Sequence, residues 1–171
     1  SGHHVTKLGL NALTLLAVAE YTHTTGDVEY LETAKSIAAW MESAQKEDGS
    51  FVQKVAEPDN KLDEDYYVRY YQGEATFGLA RLYNVVKAMG QEPEESWMQV
   101  AELAATCIVD RDARLPDEDL LVDHWLLYGI AEMGSRNKKH LQHCIRTIEV
   151  ATGRQVQETS HNQDKDRLGI F

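Results

Sequence analysis

A pattern of two helices joined by a glycine-marked turn occurs three times along this chain. In each copy an apolar helix with small residues is followed by a more amphipathic helix, over residues 8–40, 71–108 and 123–148. A single helical hairpin cannot bury its own apolar face, so each copy must stack on a neighbour. The repeat therefore predicts an all-α protein built from three stacked helical hairpins.

The spacing of apolar residues predicts six helices, at about residues 7–24, 28–46, 72–89, 93–109, 120–133 and 137–151. The odd-numbered helices are apolar nearly all round, which is typical of interior helices, and the even-numbered ones are amphipathic. We therefore expect an inner layer of helices one, three and five and an outer layer of helices two, four and six. Residues 51–70 are expected to form a long functional loop.

The end of the sixth helix sets the predicted domain boundary. Gly153 follows its last apolar residues and is expected to end it. Residues 1–153 are accordingly predicted to form a single domain, and residues 154–171 a polar C-terminal tail. In that tail Leu168, Ile170 and Phe171 either dock on the domain or begin another element.

Composition excludes several classes of partner. Seventeen basic and twenty-eight acidic residues give a net charge of −11, which disfavours a nucleic-acid partner. The longest apolar stretches are too short to span a bilayer, so no membrane partner is expected. Cys107 and Cys144 lie in predicted helices and are interpreted as buried thiols in a reducing compartment, which favours a cytoplasmic location. A disulfide between the second and third hairpins is the alternative.

The sequence contains no cofactor motif. It has no phosphate-binding loop, no nucleophile elbow and no zinc-binding set of cysteines, so neither a cofactor nor a metal is expected. His140 and His143 lie three residues apart on a predicted helix, a spacing that permits shared metal ligation. Because the sixth helix is predicted to be an outer helix, we expect these two side chains to lie on a solvated face.

Several short strings resemble the six-hairpin, or (α/α)6-toroid, superfamily. They are Lys7–Leu13, Thr25–Leu31, Asp48–Phe51, Tyr71–Ala75 and Asp123–Trp125, and the similarity extends over about residues 7–152. This superfamily includes glycoside hydrolases, sugar epimerases, uronic-acid-processing enzymes and terpenoid-cyclase-like proteins. Three hairpins correspond to half of a complete toroid, so the resemblance implies a partial α/α toroid; a short solenoid is the alternative.

The resemblance also implies where a site would lie. In such toroids the site is a cup at one end of the inner helices, formed by their first turns and the loops before them. The residues at those positions that could bind a saccharide are Asn11, Tyr66, Tyr67, Arg69, Tyr70, Tyr71, Gln72 and Trp125. The tyrosines offer flat faces for sugar stacking, and Arg69 could fork onto a carboxylate. Alternatively, the tyrosines simply pack the loop against the helices.

Three residues at the same positions are candidate acid–base groups. Glu74 is a charged residue on an otherwise apolar helix, and Asp123 and His124 stand at the start of another. A carboxylate and an imidazole near one cup could act as general acid and base, and Glu74 and His124 are the pair expected to do so if both face that cup. In the structural alternative Glu74 and Asp123 cap helix N-termini, where negative charge is favoured, and Trp125 lies in the core.

Two functions follow, from different classes. The first is a carbohydrate-active-enzyme-like domain, complete or a fragment, that acts on or binds a saccharide by general acid–base chemistry. The second is a non-catalytic helical-repeat module that binds a ligand or a protein. Helices one and five are too apolar to cover the ends of the stack. We therefore expect a homodimer through the exposed apolar edges, unless further hairpins outside this sequence cover them.

Overall fold

Helices dominate the structure, a computed structural model that describes residues 5–56 and 61–167, with no side chains described beyond residue 156. In chain order the helices of this part are α1 (Leu8–Thr25), α2 (Leu31–Ala44), α3 (Tyr71–Ala88), α4 (Glu95–Asp112), α5 (His124–Glu132) and α6 (Lys138–Arg167). The prediction of a mostly helical fold is confirmed, and the first five helices lie close to their predicted positions.

Local signals set the ends of α1 and α5. Gly26 follows α1 with φ of 74°, a left-handed conformation that glycine adopts without a steric cost, and its N–H donates to the Thr22 carbonyl at 2.9 Å. Asp123 precedes α5 and accepts hydrogen bonds from the backbone N–H groups of Trp125 and Leu126. The predicted stop and the predicted cap are thus both present.

α3 lies at the centre of the fold, where it packs against α1, α5 and α4. Small residues allow α1 and α3 to approach closely: Ala12 and Ala75 are fully buried, and a Cβ atom on Gly78 would lie 3.3 Å from the Ala12 carbonyl oxygen. α1 and α5 thus lie on either side of α3 and form one row with it. α4 contacts α2 and α6 and belongs to the second row.

The expectation that all odd-numbered helices are buried all round is correct only for α3. On α1, Leu10 is 65% exposed and Leu13 is 43% exposed, and on α5 Tyr128 is 53% exposed. α1 and α5 each pack on α3 from one side only, so their far sides lack a neighbour within the described part of the chain. Apolar composition therefore overestimates the burial of these two helices.

A small antiparallel sheet replaces part of the predicted loop at residues 51–70. Its strands are β1 (Val5–Lys7), β2 (Lys54–Ala56) and β3 (Lys61–Leu62), in the order β1-β2-β3. Lys7 pairs with Lys54 and Val55 pairs with Leu62. The all-α prediction missed this sheet because its strands have two or three residues each and carry little alternation.

α6 departs from the prediction in two ways. It continues through Gly153 to Arg167, so Gly153 does not end it, and residues 168–171 of the predicted tail lie outside the described residues. It also turns a polar face inward: His140 is fully buried and His143 is 5% exposed, so the expectation of a solvated histidine face is wrong. The His140 ring lies 3.0 Å from Thr106 Oγ1 and 2.9 Å from Ser135 Oγ, which satisfies both ring nitrogens.

The buried apolar residues form two clusters of different size. The larger joins α1, α2, α3 and α4 around side chains such as Leu15, Met41 and Leu79. The smaller lies between α4 and α5, around Ile108 and Leu126. None of the described helices is long and apolar enough to cross a membrane. Cys107 and Cys144 are free, half-buried thiols, so the alternative of a disulfide between them is wrong.

Candidate functional site

The first turns of α1, α3 and α5 lie side by side, and two glycines allow them to do so. A Cβ atom on Gly9 would overlap the Tyr71 ring and lie 2.8 Å from Glu74 Oε2. A Cβ atom on Gly73 would lie 2.5 Å from Asp123 Oδ2. Gly9 thus brings α1 against Tyr71 and Glu74, and Gly73 brings the carboxyl group of Asp123 onto the surface of α3.

Glu74 and Asp123 form a pair of buried carboxyl groups. Glu74 is 7% exposed, and its Oε2 has no hydrogen-bond partner among the described residues. Burial raises the pKa of Glu74, and the negative charge of Asp123 raises it further. Glu74 therefore lies in surroundings that favour a neutral carboxylic acid, unlike the charged helix cap of the structural alternative.

Asp123 is 3% exposed, and burial raises its pKa from 3.8 to about 6. Hydrogen bonds from the N–H groups of Leu126, at 3.2 Å, and Trp125, at 3.0 Å, oppose that rise because they favour the carboxylate. The balance leaves Asp123 with a pKa near neutrality. A group with such a pKa can both donate and accept a proton under physiological conditions.

Two tyrosines and two lysines border the carboxyl pair on the side of the sheet. The rings of Tyr66 and Tyr71 lie 6.4 Å apart between centroids, and a hydrogen bond between them raises the pKa of Tyr71. The Nζ atoms of Lys7 and Lys54 lie 5.6 Å and 5.0 Å from the Tyr66 centroid, close enough for cation–π attraction. Sequence reasoning missed Lys54, because only the pairing of β1 with β2 brings it here.

An exposed aromatic surface lies on the other side of the carboxyl pair. We define it as Tyr70, Phe77, His124, Trp125 and Tyr128. The His124 ring lies 4.9 Å from Trp125, 6.0 Å from Tyr128 and 6.1 Å from Tyr70 between centroids. The ring of Phe77 lies 5.8 Å from that of Tyr128 between centroids. Tyr70 is 37% exposed and Tyr128 is 53% exposed, so their faces are accessible to a ligand.

Phe77 and Tyr128 of the aromatic surface were not among the predicted site residues. The sequence does carry a signal for Tyr128, because it follows His124 by four residues and so lies on the same face of α5. Phe77 follows Gly73 by four residues on α3 and is related to it in the same way. The prediction considered only first turns and therefore stopped one turn short of both.

Two of the predicted saccharide-binding residues point towards α4. Gln72 is 4% exposed and donates through Nε2 to the carbonyl oxygens of Ala104, at 3.1 Å, and Gly49, at 3.4 Å. Tyr67 accepts a hydrogen bond from Arg111 at 2.6 Å, beside an open groove of about 600 Å³. Both residues join the loop and α3 to α4 and lie apart from the carboxyl pair.

Asn11 and Arg69 complete the set of predicted binding residues. Asn11 donates through Nδ2 to the Lys7 carbonyl oxygen at 3.0 Å, within the first turn of α1. Arg69 is exposed. The structure thus brings Glu74, Asp123, Tyr66 and Tyr71 together as one group. It gathers Tyr70, His124 and Trp125 as a second, adjacent group.

In the part of the chain whose side chains are described, no group of three or more histidine, cysteine, aspartate or glutamate residues could hold a metal ion. Comparison with models of protein families, with curated proteins and with solved structures gives no match for this chain.

Proposed function

We propose that this domain binds a saccharide on its aromatic surface and acts on it by acid–base chemistry through Glu74 and Asp123. One observation carries the proposal: two buried carboxyl groups with raised pKa values adjoin an exposed cluster of aromatic rings at one end of three helices. Aromatic faces bind the apolar faces of sugar rings, and carboxyl pairs perform glycosyl chemistry in many enzymes.

The same proposal includes the finer architecture. We infer that the three hairpins are part of an α/α toroid, with α1, α3 and α5 in its inner wall. The alternation of an inner and an outer row supports this inference, as does the resemblance of strings such as Tyr71–Ala75 and Asp123–Trp125 to the toroid superfamily. In that arrangement the first turns of the inner helices form the floor of the site.

The two carboxyl groups would divide the work by protonation state. The neutral carboxylic acid donates its proton to the oxygen of the leaving group, and the ionised partner accepts a proton from the attacking water. Asp123, with a pKa of about 6, suits either task near neutral pH. His124 lies at the exposed rim and would contact the sugar rather than the buried pair. A substrate reaches Glu74 only if the Tyr71 ring, which lies against Gly9, moves aside.

A non-catalytic binding module is the second candidate. The burial of Glu74 and Asp123, which are only 7% and 3% exposed, favours it. In this function the aromatic surface alone binds the ligand. Asp123 then serves to begin α5 through its two backbone hydrogen bonds.

The proposal is tested first by binding. The chain is titrated with a panel of neutral and uronic-acid oligosaccharides while amide chemical shifts are followed by NMR. We expect shifts confined to the aromatic surface and about fivefold weaker binding for Tyr128→Ala, since one stacking contact contributes about 1 kcal/mol. Tyr67→Ala is the matched control. Tyr67 is also an exposed tyrosine, at 55% exposure, but it contacts Arg111 and does not belong to the aromatic surface.

The second experiment separates the two candidates. Release of reducing ends from the saccharide that binds best is measured for the wild type, Glu74→Gln and Asp123→Asn. An enzyme loses at least about 100-fold in rate in either variant, while binding persists. Binding without turnover in the wild type supports the binding module. If no saccharide binds at millimolar concentration, or if Tyr67→Ala weakens binding as much as Tyr128→Ala, the proposal is wrong.

A further inference from the structure

α6 exposes an apolar stripe that no described residue covers. Leu141, Ile145 and Ile148 recur at spacings of four and three residues and are 45%, 57% and 56% exposed. The opposite face of α6 carries His140, His143 and Thr147, which are buried against α4 and its surroundings. α6 therefore directs its most apolar side chains away from the protein. We call Leu141, Ile145 and Ile148 the α6 stripe.

α1 exposes a second apolar stripe. Leu10, Leu13, Ala17 and Tyr21 recur at spacings of three and four residues, and Leu10 is 65% exposed. We call these four residues the α1 stripe. α1 packs on α3 and α2, whereas α6 packs on α4, so the two stripes lie at opposite ends of the helical array. Among the described residues, each end lacks the neighbour that stacking supplies to the central hairpin.

The charges around the two stripes are opposite in sign. From residue 136 to residue 156, around the α6 stripe, the chain has five basic residues and one acidic residue. From residue 8 to residue 35, around the α1 stripe, it has four acidic residues and one basic residue. Contact between two α6 stripes would bring like charges together, whereas contact between an α6 stripe and an α1 stripe brings opposite charges together.

The exposed apolar area matches the need of a stable dimer. At these exposures the two stripes of one copy present on the order of 500 Å² of apolar surface. A standard dimer interface buries about 800 Å² per partner, of which somewhat more than half is apolar. A second copy that covers both stripes would therefore bury an interface of ordinary size and composition.

We propose that two copies of this chain associate so that the α1 stripe of each copy packs against the α6 stripe of the other. A twofold axis makes the two contacts equivalent and leaves neither stripe exposed. The α1 stripe of one copy is thus covered by α6 of the second copy, and its α6 stripe is covered by α1 of the second copy. This association goes beyond the proposed saccharide function and holds whether or not the domain is an enzyme.

Sedimentation equilibrium at micromolar concentration tests the association. We expect a mass of twice 19.3 kDa for the wild type. Leu13→Lys and Ile145→Glu each introduce a charge that the facing stripe repels, so each variant should be monomeric, with at least about 100-fold weaker association. Leu62→Glu is the matched control: Leu62 is 50% exposed on β3 and belongs to neither stripe, so this variant should remain dimeric.

Mixing the two variants tests which stripes meet. An equimolar mixture of Leu13→Lys and Ile145→Glu can form a dimer that contains one copy of each variant. In this mixed dimer one contact joins two unchanged stripes, and the other places the introduced lysine against the introduced glutamate. We expect the dimer to return. Leu13, Ile145 and Leu62 are all exposed, and circular dichroism verifies that every variant is folded. A monomeric wild type, a dimeric Leu13→Lys variant or a mixture that stays monomeric would each overturn the proposal.

Discussion

Asp123 is subject to two opposing influences that act on one carboxyl group. Its Oδ1 accepts hydrogen bonds from the N–H groups of Trp125 and Leu126, which stabilise the carboxylate and begin α5. Its burial at 3% exposure destabilises the same carboxylate, and the result is a pKa of about 6. Without burial, these two hydrogen bonds would hold the pKa below its ordinary value. Burial is therefore what makes this cap a candidate proton donor.

The pH dependence of stability should reveal this burial. Because the pKa of Asp123 is higher in the folded chain than in the unfolded chain, its contribution to stability is complete below about pH 4 and is lost as the pH rises through 6. A shift of about two units corresponds to about 3 kcal/mol. Asn at this position keeps the accepting oxygen without the charge. We therefore expect the free energy of unfolding of Asp123→Asn, relative to that of the wild type, to rise by about 3 kcal/mol between about pH 4 and pH 7. Urea unfolding at a series of pH values measures this difference.

Asp119→Asn is the control for that experiment, because Asp119 is exposed and lies in the same connection. Its free energy of unfolding should follow that of the wild type at every pH. The pKa of Glu74 is shifted in the same direction as that of Asp123. The stability of Glu74→Gln relative to the wild type should therefore also increase as the pH rises. If the curves of wild type and Asp123→Asn run parallel, the pKa of Asp123 is the same in the folded and unfolded chains, and burial does not raise it.

At the scale of the element, α6 shows what periodicity can and cannot predict. The spacing of its apolar residues correctly predicts a helix, but the side that faces the protein carries His140 and His143. The polar face is buried because its groups find partners: Arg146 donates to the carbonyl oxygens of Asp112, at 2.9 Å, and Leu115, at 2.6 Å. A pattern of apolar residues does not reveal such partners, which come from distant parts of the chain.

The candidate site was predictable to a similar extent. Glu74 and Asp123 could be predicted because they occupy the first turns of helices whose order in the fold follows from the repeat. Lys54 could not be predicted, because its position depends on three strands of two or three residues each. The closeness of Glu74 to Asp123 was equally hidden, since it depends on the missing side chain of Gly73.

Gly129 sets the separation of α3 and α5. A Cβ atom there would lie 2.8 Å from Thr76 Cγ2 and 3.0 Å from the backbone nitrogen of Phe77, so an added methyl group must push the helices apart. We expect Gly129→Ala to cost about 1–3 kcal/mol of stability. Gly153→Ala has open space around its Cβ and should instead gain about 0.5–1 kcal/mol, because alanine favours the helix. Thermal unfolding of both variants measures the two changes in stability. Equal changes would contradict the interpretation that Gly129 sets the separation of α3 and α5.

At the scale of the whole molecule, stability is divided unevenly between the two apolar clusters. The larger cluster unites α1 to α4 around fully buried residues such as Leu79. The smaller holds α5 to α4 through a few side chains that include Ile130, and α6 joins it mainly through Cys144 and polar contacts. Elements held by few buried apolar contacts open locally at lower free energy than the core. α6 should therefore open without unfolding α3.

Native-state hydrogen exchange tests this division. Amides of α3 should exchange only on global unfolding, whereas those of α6 should exchange at clearly lower free energy. Leu79→Ala should lower protection throughout the chain by about 2–5 kcal/mol. Ile130→Ala should lower it chiefly in α5 and α6, because Ile130 belongs to the smaller cluster. These measurements are repeated on Leu13→Lys, which is expected to be monomeric, so that self-association does not contribute to the protection of α6. If Ile130→Ala lowers the protection of α3 as much as that of α6, the two clusters unfold together and the helical array is a single cooperative unit.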